Sequence, residues 1–123
     1  MVVMTAVLNI ANTEALDVFD SVTHMAFGDD NTTPIEGNMA LGNELLRVSL
    51  ESSTKDTGTN SYTFVGRIPL PQLNSSTIRE VGLFTASSGG TMACRILSPV
   101  DVTKTSDDEI LYTIELKVNT INN

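Results

Sequence analysis

The chain has 123 residues, 41% of them apolar, which fits one domain that buries roughly two-thirds of the surface of its unfolded chain. Seven basic against fifteen acidic residues give a formal charge of −8, which disfavours binding to nucleic acid and docking on anionic membranes. A single cysteine, Cys94, excludes an internal disulfide framework, so packing and strand pairing must stabilise the fold.

The N-terminal segment is predicted to be a β-strand. Its apolar residues alternate from Val2 to Ile10, which is the period of a strand with one buried face. No basic region precedes the segment and it is too short to cross a bilayer, so we expect neither an export signal nor a membrane anchor. Such a strand is also suited to pairing with a neighbouring molecule by strand addition.

The next part of the chain breaks the strand pattern in two places. Residues 13–20 are predicted to form a short helix, because a capping side chain and acidic residues stand at its start. A strand is expected over residues 22–27, followed by a loop over residues 28–38. Residues 39–45 are predicted to form a single helical turn.

Period-two alternation returns in later segments of the chain, at residues 46–51, 62–68 and 110–118. Each segment places apolar side chains on one face and polar ones on the other, as in antiparallel sheets with one wet face. Clusters of turn-forming residues lie at residues 53–60, 69–76 and 98–108. Tyr62 and Tyr112 fall on apolar faces, so we expect both rings in the core.

Residues 77–97 are predicted to form a β-hairpin. Two runs rich in β-branched and apolar residues flank a Gly-Gly turn at residues 89–90, and glycine supplies the positive φ angles that tight hairpin turns need. On this hairpin, Glu80 and Arg95 are expected to lie opposite or diagonal to each other. Cys94 alternates with apolar neighbours, which favours a small buried side chain over a reactive thiol.

Charged side chains on the strands are predicted to pair. Glu44 and Arg47 stand close together where the chain enters a strand, so a local ion pair is expected. Opposite charges on adjacent strands contribute roughly 0.2–1 kcal/mol when they are exposed. We hypothesise that Glu80, Arg95 and Arg47 form one network that fixes the register of the sheet. The alternative is that they are independent surface charges.

Together these elements predict an all-β protein. We expect an antiparallel β-sandwich, or a small barrel, of about seven strands with one short helical segment near residues 13–20. The sequence contains no evident repeat and no stretch that resembles a linker between domains. A single domain over residues 1–123 is therefore expected.

Few residues offer catalytic or metal-binding chemistry. His24 is the only histidine and lies in a strand-like run, so neither a Ser-His-Asp relay nor a histidine-based metal site is expected. Oxygen-bearing side chains at residues 28–33 raise the alternative of a calcium site, but their spacing differs from that of an EF-hand loop, and we interpret them as an acidic surface turn. Residues 107–109 receive the same interpretation. We predict no catalytic residue, no metal, no cofactor and no enzymatic activity.

Three short motifs resemble, in their order and spacing, a family of viral structural proteins. They are the strand THMAFG, which ends in glycine, the segment MALGNELLR, and the hairpin segments IREVGLF, GG and ACR. Together they are similar to the tail-fibre and tail-collar type structural proteins of tailed bacterial and archaeal viruses, and the resemblance covers most of the chain. The matching residues of this sequence are Gly28, Leu41, Gly42, Glu44, Arg47, Glu80, Gly82, Leu83, Phe84, Gly89, Gly90 and Arg95.

The resemblance implies a non-enzymatic virion protein, made in the host cytoplasm and built into the tail as an adaptor, baseplate or fibre-attachment module. It implies contacts with other tail proteins and a homo-oligomer in a symmetric assembly, with no nucleic-acid or membrane partner. Familiar members often continue into a fibre or receptor-binding region, whereas this sequence ends at Asn123, so an adaptor or collar role is expected rather than host recognition. Two alternatives stay open: a capsid decoration or spike protein, and a small carbohydrate-binding β-sandwich.

Overall fold

The computed structural model describes residues 2–10, 19–34, 40–56 and 61–118. Eight β-strands account for most of these residues. In chain order they are β1 (Val2–Ile10), β2 (His24–Gly28), β3 (Glu44–Ser49), β4 (Ser52–Asp56), β5 (Ser61–Ile68), β6 (Thr77–Phe84), β7 (Met92–Thr103) and β8 (Ile110–Val118).

The strands form two four-stranded sheets. The first sheet has the order β1-β8-β5-β4, and the second sheet has the order β3-β2-β6-β7. Neighbouring strands are antiparallel except for β1 and β8, which run parallel with Val2 opposite Ile110. The predicted all-β sandwich is confirmed, and two separate sheets correspond to a sandwich rather than to a barrel.

The main core lies between the sheets, because alternation along each strand directs every second side chain inward. The first sheet contributes Tyr62, Phe64, Ile68, Ile110, Tyr112, Ile114 and Leu116, and the second contributes Met25, Phe27, Val81, Leu83 and Ile96. The rings of Tyr62 and Phe64 stack with their centroids 5.8 Å apart, and Phe27 meets Tyr112 edge-on at 6.0 Å. Both tyrosines therefore lie in the core, as predicted.

The strand β4 was not predicted, because it falls within the expected turn at residues 53–60. All five of its residues are exposed, so no apolar alternation marks it in the sequence. The strand is held instead by backbone pairing with β5, with Ser52 opposite Val65. It raises the number of strands above the expected seven or so.

The strand β7 is longer than predicted and ends at Thr103, inside the expected turn at residues 98–108. Glu80 on β6 pairs with Leu97, whereas Ile78 on β6 pairs with Val102, so β7 bulges between the two pairs. A bulge on an edge strand tolerates the proline and serine that favoured a turn in the sequence.

The two expected helical segments have different outcomes. Within residues 39–45, the backbone of residues 40–43 is irregular and Glu44 already begins β3, so the predicted helical turn is wrong. The backbone N–H groups of Gly42 and Asn43 bind a side chain of the second sheet and are not available for helical hydrogen bonds. The helix expected at residues 13–20 lies outside the described residues, except for its last two positions.

Tyr62, near the start of β5, is hydrogen-bonded to the exposed Asp20. The Tyr62 hydroxyl donates to Asp20 Oδ1 at 2.8 Å, and the Lys55 ammonium lies 3.5 Å from the same oxygen. The Tyr62 hydrogen bond, assisted by the charge of Lys55, lowers the pKa of the Asp20 carboxyl below its ordinary value of 3.8.

We expect Tyr62→Phe to raise the pKa of Asp20 toward its ordinary value. Because this pKa is depressed in the folded state, the bond stabilises the fold above about pH 4 and its contribution is lost as the pH falls through the folded pKa. The difference in melting temperature between wild type and Tyr62→Phe should therefore shrink from about pH 7 to about pH 2. Thermal melts and an NMR titration of the Asp20 carboxyl check this, and a difference independent of pH would contradict it.

Candidate functional site

A buried ion pair lies on the outer face of the second sheet. Glu80 on β6 is fully buried, and Arg95 on β7 is 9% exposed. The Arg95 Nε donates to Glu80 Oε1 at 2.8 Å. Arg95 pairs with Gly82 in the hairpin register, so the two charges are diagonal, which is one of the two predicted arrangements. Val81 points into the main core, so its neighbour Glu80 faces away from that core.

The Glu80 carboxylate holds the connection between β2 and β3. We call residues 29–34 and 40–43, the described part of this connection, the β2–β3 loop. Oε1 of Glu80 accepts the backbone N–H of Gly42 at 2.7 Å, and Oε2 accepts those of Asn43 at 2.8 Å and Asp30 at 3.1 Å. With the Arg95 guanidinium, the carboxylate therefore has four donors.

The Arg95 guanidinium holds the same loop through its carbonyl groups. Its Nη1 donates to the Thr32 carbonyl oxygen at 2.9 Å, and its Nη2 approaches the Asp30 carbonyl oxygen at 3.4 Å. Glu80 thus binds loop N–H groups and Arg95 binds loop carbonyl groups. We call this pair, defined by Glu80 and Arg95, the clamp.

Two glycines allow the backbone to come close to the clamp. A Cβ at Gly28 would overlap the carbonyl oxygen of Asn43 and would lie 2.8 Å from Cδ of Glu80. A Cβ at Gly42 would overlap the side chain of Asp30. Both glycines belong to the predicted motifs, and both are required by close packing of the β2–β3 loop on the sheet.

A small apolar cluster continues this face beside the clamp. Leu41 packs with Ala26 and Phe84, and Met92 lies against them. A Cβ at Gly82 would lie 2.8 Å from Cδ2 of Leu41, so the absence of a side chain at this position makes room for the leucine. The leucine fixes the β2–β3 loop by apolar contact where the clamp fixes it by hydrogen bonds.

Arg47 forms a separate polar network, so the prediction that joined it to the clamp is wrong. It pairs with Glu44 as expected, with Nη2 2.8 Å from Oε1. Its Nη1 donates to the carbonyl oxygens of Ala86 at 3.0 Å and Gly89 at 2.8 Å, and its guanidinium lies 3.7 Å from the centroid of the Phe84 ring. Arg47 therefore holds the turn of the hairpin, while the clamp holds the β2–β3 loop.

The structure brings nearly all of the predicted motif residues to this one face. Gly28, Gly42, Glu80 and Arg95 form or border the clamp; Leu41, Gly82 and Phe84 share the apolar cluster; and Glu44, Arg47 and Gly89 meet around the hairpin turn. Gly89 and Gly90 have φ angles of +62° and +72°, as predicted for the turn. Leu83 differs, because it points into the main core.

The acidic segment at residues 28–33 uses its carboxylates within the loop. Oδ1 of Asp30 accepts the Thr32 N–H at 2.9 Å and the Thr32 hydroxyl at 2.7 Å, and these bonds lower the pKa of Asp30. Oδ1 of Asp29 accepts a hydrogen bond from the side-chain amide of Asn43 at 2.7 Å. In the part of the chain that the structure describes, no three His, Cys, Asp or Glu side chains converge as a metal site would require.

His24 meets hydroxyl groups on the same outer face. Its Nδ1 lies 2.7 Å from Oγ1 of Thr23, and its Nε2 lies 3.4 Å from Oγ of Ser49. A nucleophilic serine relay needs a carboxylate on the far side of the imidazole, where Thr23 stands here. This geometry does not form a catalytic triad.

Cys94 packs at the edge of the main core as a half-buried side chain. Burial raises the pKa of its thiol from the ordinary 9.0 to about 12. Since the thiolate is the reactive form, this shift opposes nucleophilic chemistry.

We expect native Cys94 to react with iodoacetamide at about pH 8 on the order of 10³-fold more slowly than in the unfolded chain, because so much less thiolate is present. Mass spectrometry of the alkylated protein over time, with a sample in denaturant at the same pH as the control, measures the ratio. Equal rates in the two samples would show that the thiol is open and ionisable in the folded protein.

Lys104 is a buried residue that the sequence did not single out. It is 1% exposed, and its ammonium donates to the carbonyl oxygens of Leu70 at 2.8 Å and Thr105 at 2.9 Å and to Oδ1 of Asn74 at 2.9 Å. It thereby holds the loop between β5 and β6. A lysine within a cluster of turn residues carries no sequence signal that distinguishes it from a solvated one.

In comparisons with known proteins, no family model and no curated protein matches the chain. Among the described residues, none forms a helix long and apolar enough to cross a membrane. The motif residues and the site that they build are therefore the features that bear on its function.

Proposed function

We propose that the protein is a non-enzymatic structural module of a viral tail, an adaptor, baseplate or fibre-attachment part that acts through protein–protein contacts. The observation that carries this proposal is the clamp. Residues that match the tail-protein motifs form and surround the clamp, and the clamp holds a surface loop on a rigid sheet. Loops positioned by a rigid scaffold commonly form binding surfaces.

The chemistry of the site supports a binding role. The Glu80 and Arg95 side chains are directed at backbone groups of the β2–β3 loop, and both are buried, so neither faces a substrate. The exposed polar residues of the same loop are Asn31, Thr32, Thr33 and Asn43. Short polar side chains on a fixed backbone suit contact with another folded protein in an assembly. In the proposed role, the partners are other tail proteins and further copies of this chain within the virion.

The two alternatives differ in how well the site supports them. A carbohydrate-binding surface commonly relies on exposed aromatic rings, but Tyr62 and Tyr112 are 4% and 1% exposed. A capsid decoration protein would use the same kind of polar loop, so its location in the particle, and not its fold, distinguishes it from a tail module.

Quantitative mass spectrometry of purified virus particles tests the proposal. Tail-like stoichiometry relative to the major capsid protein is the expected result. Capsid-like abundance would replace the tail role with capsid decoration. Absence from particles would overturn both virion roles.

A matched pair of variants tests the β2–β3 loop itself. Thr33→Arg changes an exposed threonine of that loop, and Thr54→Arg changes an exposed threonine of β4 in the other sheet. We expect Thr33→Arg to reduce the amount of protein incorporated into particles and Thr54→Arg to leave it unchanged. Equal incorporation of the two folded variants would contradict a contact through this loop.

A further inference from the structure

The strand β1 is an edge strand with one open side. It stands at the end of the first sheet, next to β8, and no other described strand pairs with it. It is nine residues long, and Val3 on it is 60% exposed. An unpaired edge of this length is a ready template for another strand.

The backbone groups on the open side can be assigned residue by residue. The Val2 N–H donates to the carbonyl oxygen of Glu109, next to its partner in β8, at 2.9 Å. In a parallel ladder, alternate residues direct both of their backbone groups to the same neighbour. Met4 and Ala6 therefore bond to β8, whereas the N–H and C=O groups of Thr5 and of the alternate residues on either side of it point outward.

The other edges of the sandwich carry features that discourage strand addition, and β1 does not. Charged side chains on an edge strand oppose pairing with another chain. They occur on each of the other edge strands, as Lys55 and Asp56 on β4, Glu44 and Arg47 on β3, and Arg95 and Asp101 on β7. The nine residues of β1 include no charged side chain, no proline and no glycine.

We propose that the open edge of β1 pairs antiparallel with β1 of a second copy of the chain. Each copy carries a formal charge of −8, so two copies meet most easily where neither has an ionisable group. The five residues of β4 would leave much of the nine-residue β1 unpaired, whereas a second β1 matches its full length. Pairing about a two-fold axis also closes the contact, because each copy uses the same edge.

In this dimer the two first sheets form one continuous sheet. With the two-fold axis at Ala6, the middle of β1, Thr5 lies opposite Val7 of the second copy and Val3 lies opposite Asn9. The backbone groups brought together are those that the β8 ladder leaves free. The inference deepens the proposed assembly role, but it rests on the strand edge alone and holds or fails independently of a place in the virion.

The variant Thr5→Pro tests the contact, because it removes an outward-facing N–H and leaves the ladder to β8 intact. Proline is tolerated on an edge strand at such a position. By size-exclusion chromatography with light scattering, we expect wild type to show twice the 13.2 kDa of one chain and Thr5→Pro to show one chain. The control Thr5→Ala keeps the N–H and should stay dimeric. A monomeric wild type at every concentration, or a dimeric Thr5→Pro, would overturn the proposal.

Hydrogen exchange on wild-type protein gives a second reading that needs no variant. On dilution, the amides of Thr5 and Val7 should lose protection, while those of Met4 and Ala6 keep it. Unchanged protection at Thr5 and Val7 across the dissociation would overturn the proposal. If circular dichroism shows that Thr5→Pro is unfolded, Thr5→Glu replaces it, because the introduced carboxylates repel each other across the two-fold axis. A dimeric Thr5→Glu would then overturn the proposal.

Discussion

Replacing Glu80 by glutamine is expected to lower the free energy of unfolding by about 3–5 kcal/mol, because it breaks a buried ion pair from one side. Glutamine keeps the shape of the side chain but replaces one acceptor oxygen by an NH2 donor. Oε1 faces the donors of Arg95 and Gly42, and Oε2 faces those of Asn43 and Asp30. Either orientation of the amide therefore sets a donor against donors, and the guanidinium loses its counter-charge.

Glu44→Gln is the matched control for this prediction. Glu44 also pairs with an arginine, Arg47, but its side chain is 31% exposed. Pairs of this kind contribute no more than about 1 kcal/mol, since water replaces the lost partner. Urea denaturation of both variants measures the difference, and an equal cost for Glu80→Gln and Glu44→Gln would contradict a structural role for the clamp.

The double variant separates the ion pair from its surroundings. Arg95→Met alone leaves the Glu80 carboxylate without its cation, whereas Glu80→Gln with Arg95→Met removes both charges. We expect the double variant to cost less than the sum of the two single variants, because the second change removes a charge that the first left unpaired. Strict additivity would mean that the two side chains do not act as one unit.

Sequence patterns predict those parts of the fold in which the local structure requires particular side chains. In β5 and β8, alternation from Tyr62 to Ile68 and from Ile110 to Leu116 predicts which side chains are buried, because one face of each strand meets the core. The Gly-Gly turn predicts the hairpin of β6 and β7, because the positive φ angles at residues 89–90 require glycine.

Other parts of the fold depend on partners that the sequence does not record. The residues of β4 are all exposed, and the backbone ladder to β5 defines that strand. The parallel pairing of β1 with β8 joins the two ends of the described chain, and no local pattern specifies it. A single helical turn was predicted at residues 39–45, but hydrogen bonds to Glu80 hold part of that segment in another conformation.

The sequence predicted the pairing of the charged side chains at the candidate site, but it did not predict the backbone groups that bind them. The charges of Glu80 and Arg95 were expected to meet across the hairpin, and they do. Their burial was not expected, because it comes from a loop distant in sequence that covers them. The loop donors at Gly42, Asn43 and Asp30 are N–H groups that nearly every residue type carries, so residue identity does not reveal them.

The variant Gly28→Ala is expected to destabilise the protein by about 3 kcal/mol, the upper part of the usual range for overpacking. The new methyl group would overlap the backbone oxygen of Asn43 and crowd the carboxylate of Glu80, whose Cδ lies 2.8 Å from the Cβ position. Neither group can move away easily, because the Asn43 N–H and the carboxylate are bonded to each other at 2.8 Å. The β2–β3 loop must lift from the sheet to admit the methyl group.

Gly89→Ala is the control, because it adds the same methyl group but destabilises the protein through backbone strain and not through steric overlap. At Gly89 a Cβ meets nothing within 4 Å, but the φ of +62° disfavours alanine, by about 1–2 kcal/mol. Chemical denaturation of both variants, with hydrogen exchange at the Gly42 amide, distinguishes the two causes: we expect Gly28→Ala to expose that amide and Gly89→Ala to leave it protected. Gly28→Ala and Glu80→Gln displace the same loop, so the double variant should lose less free energy of unfolding than the two single variants together. Full additivity would mean that the close approach of the backbone at Gly28 and the clamp stabilise the protein independently.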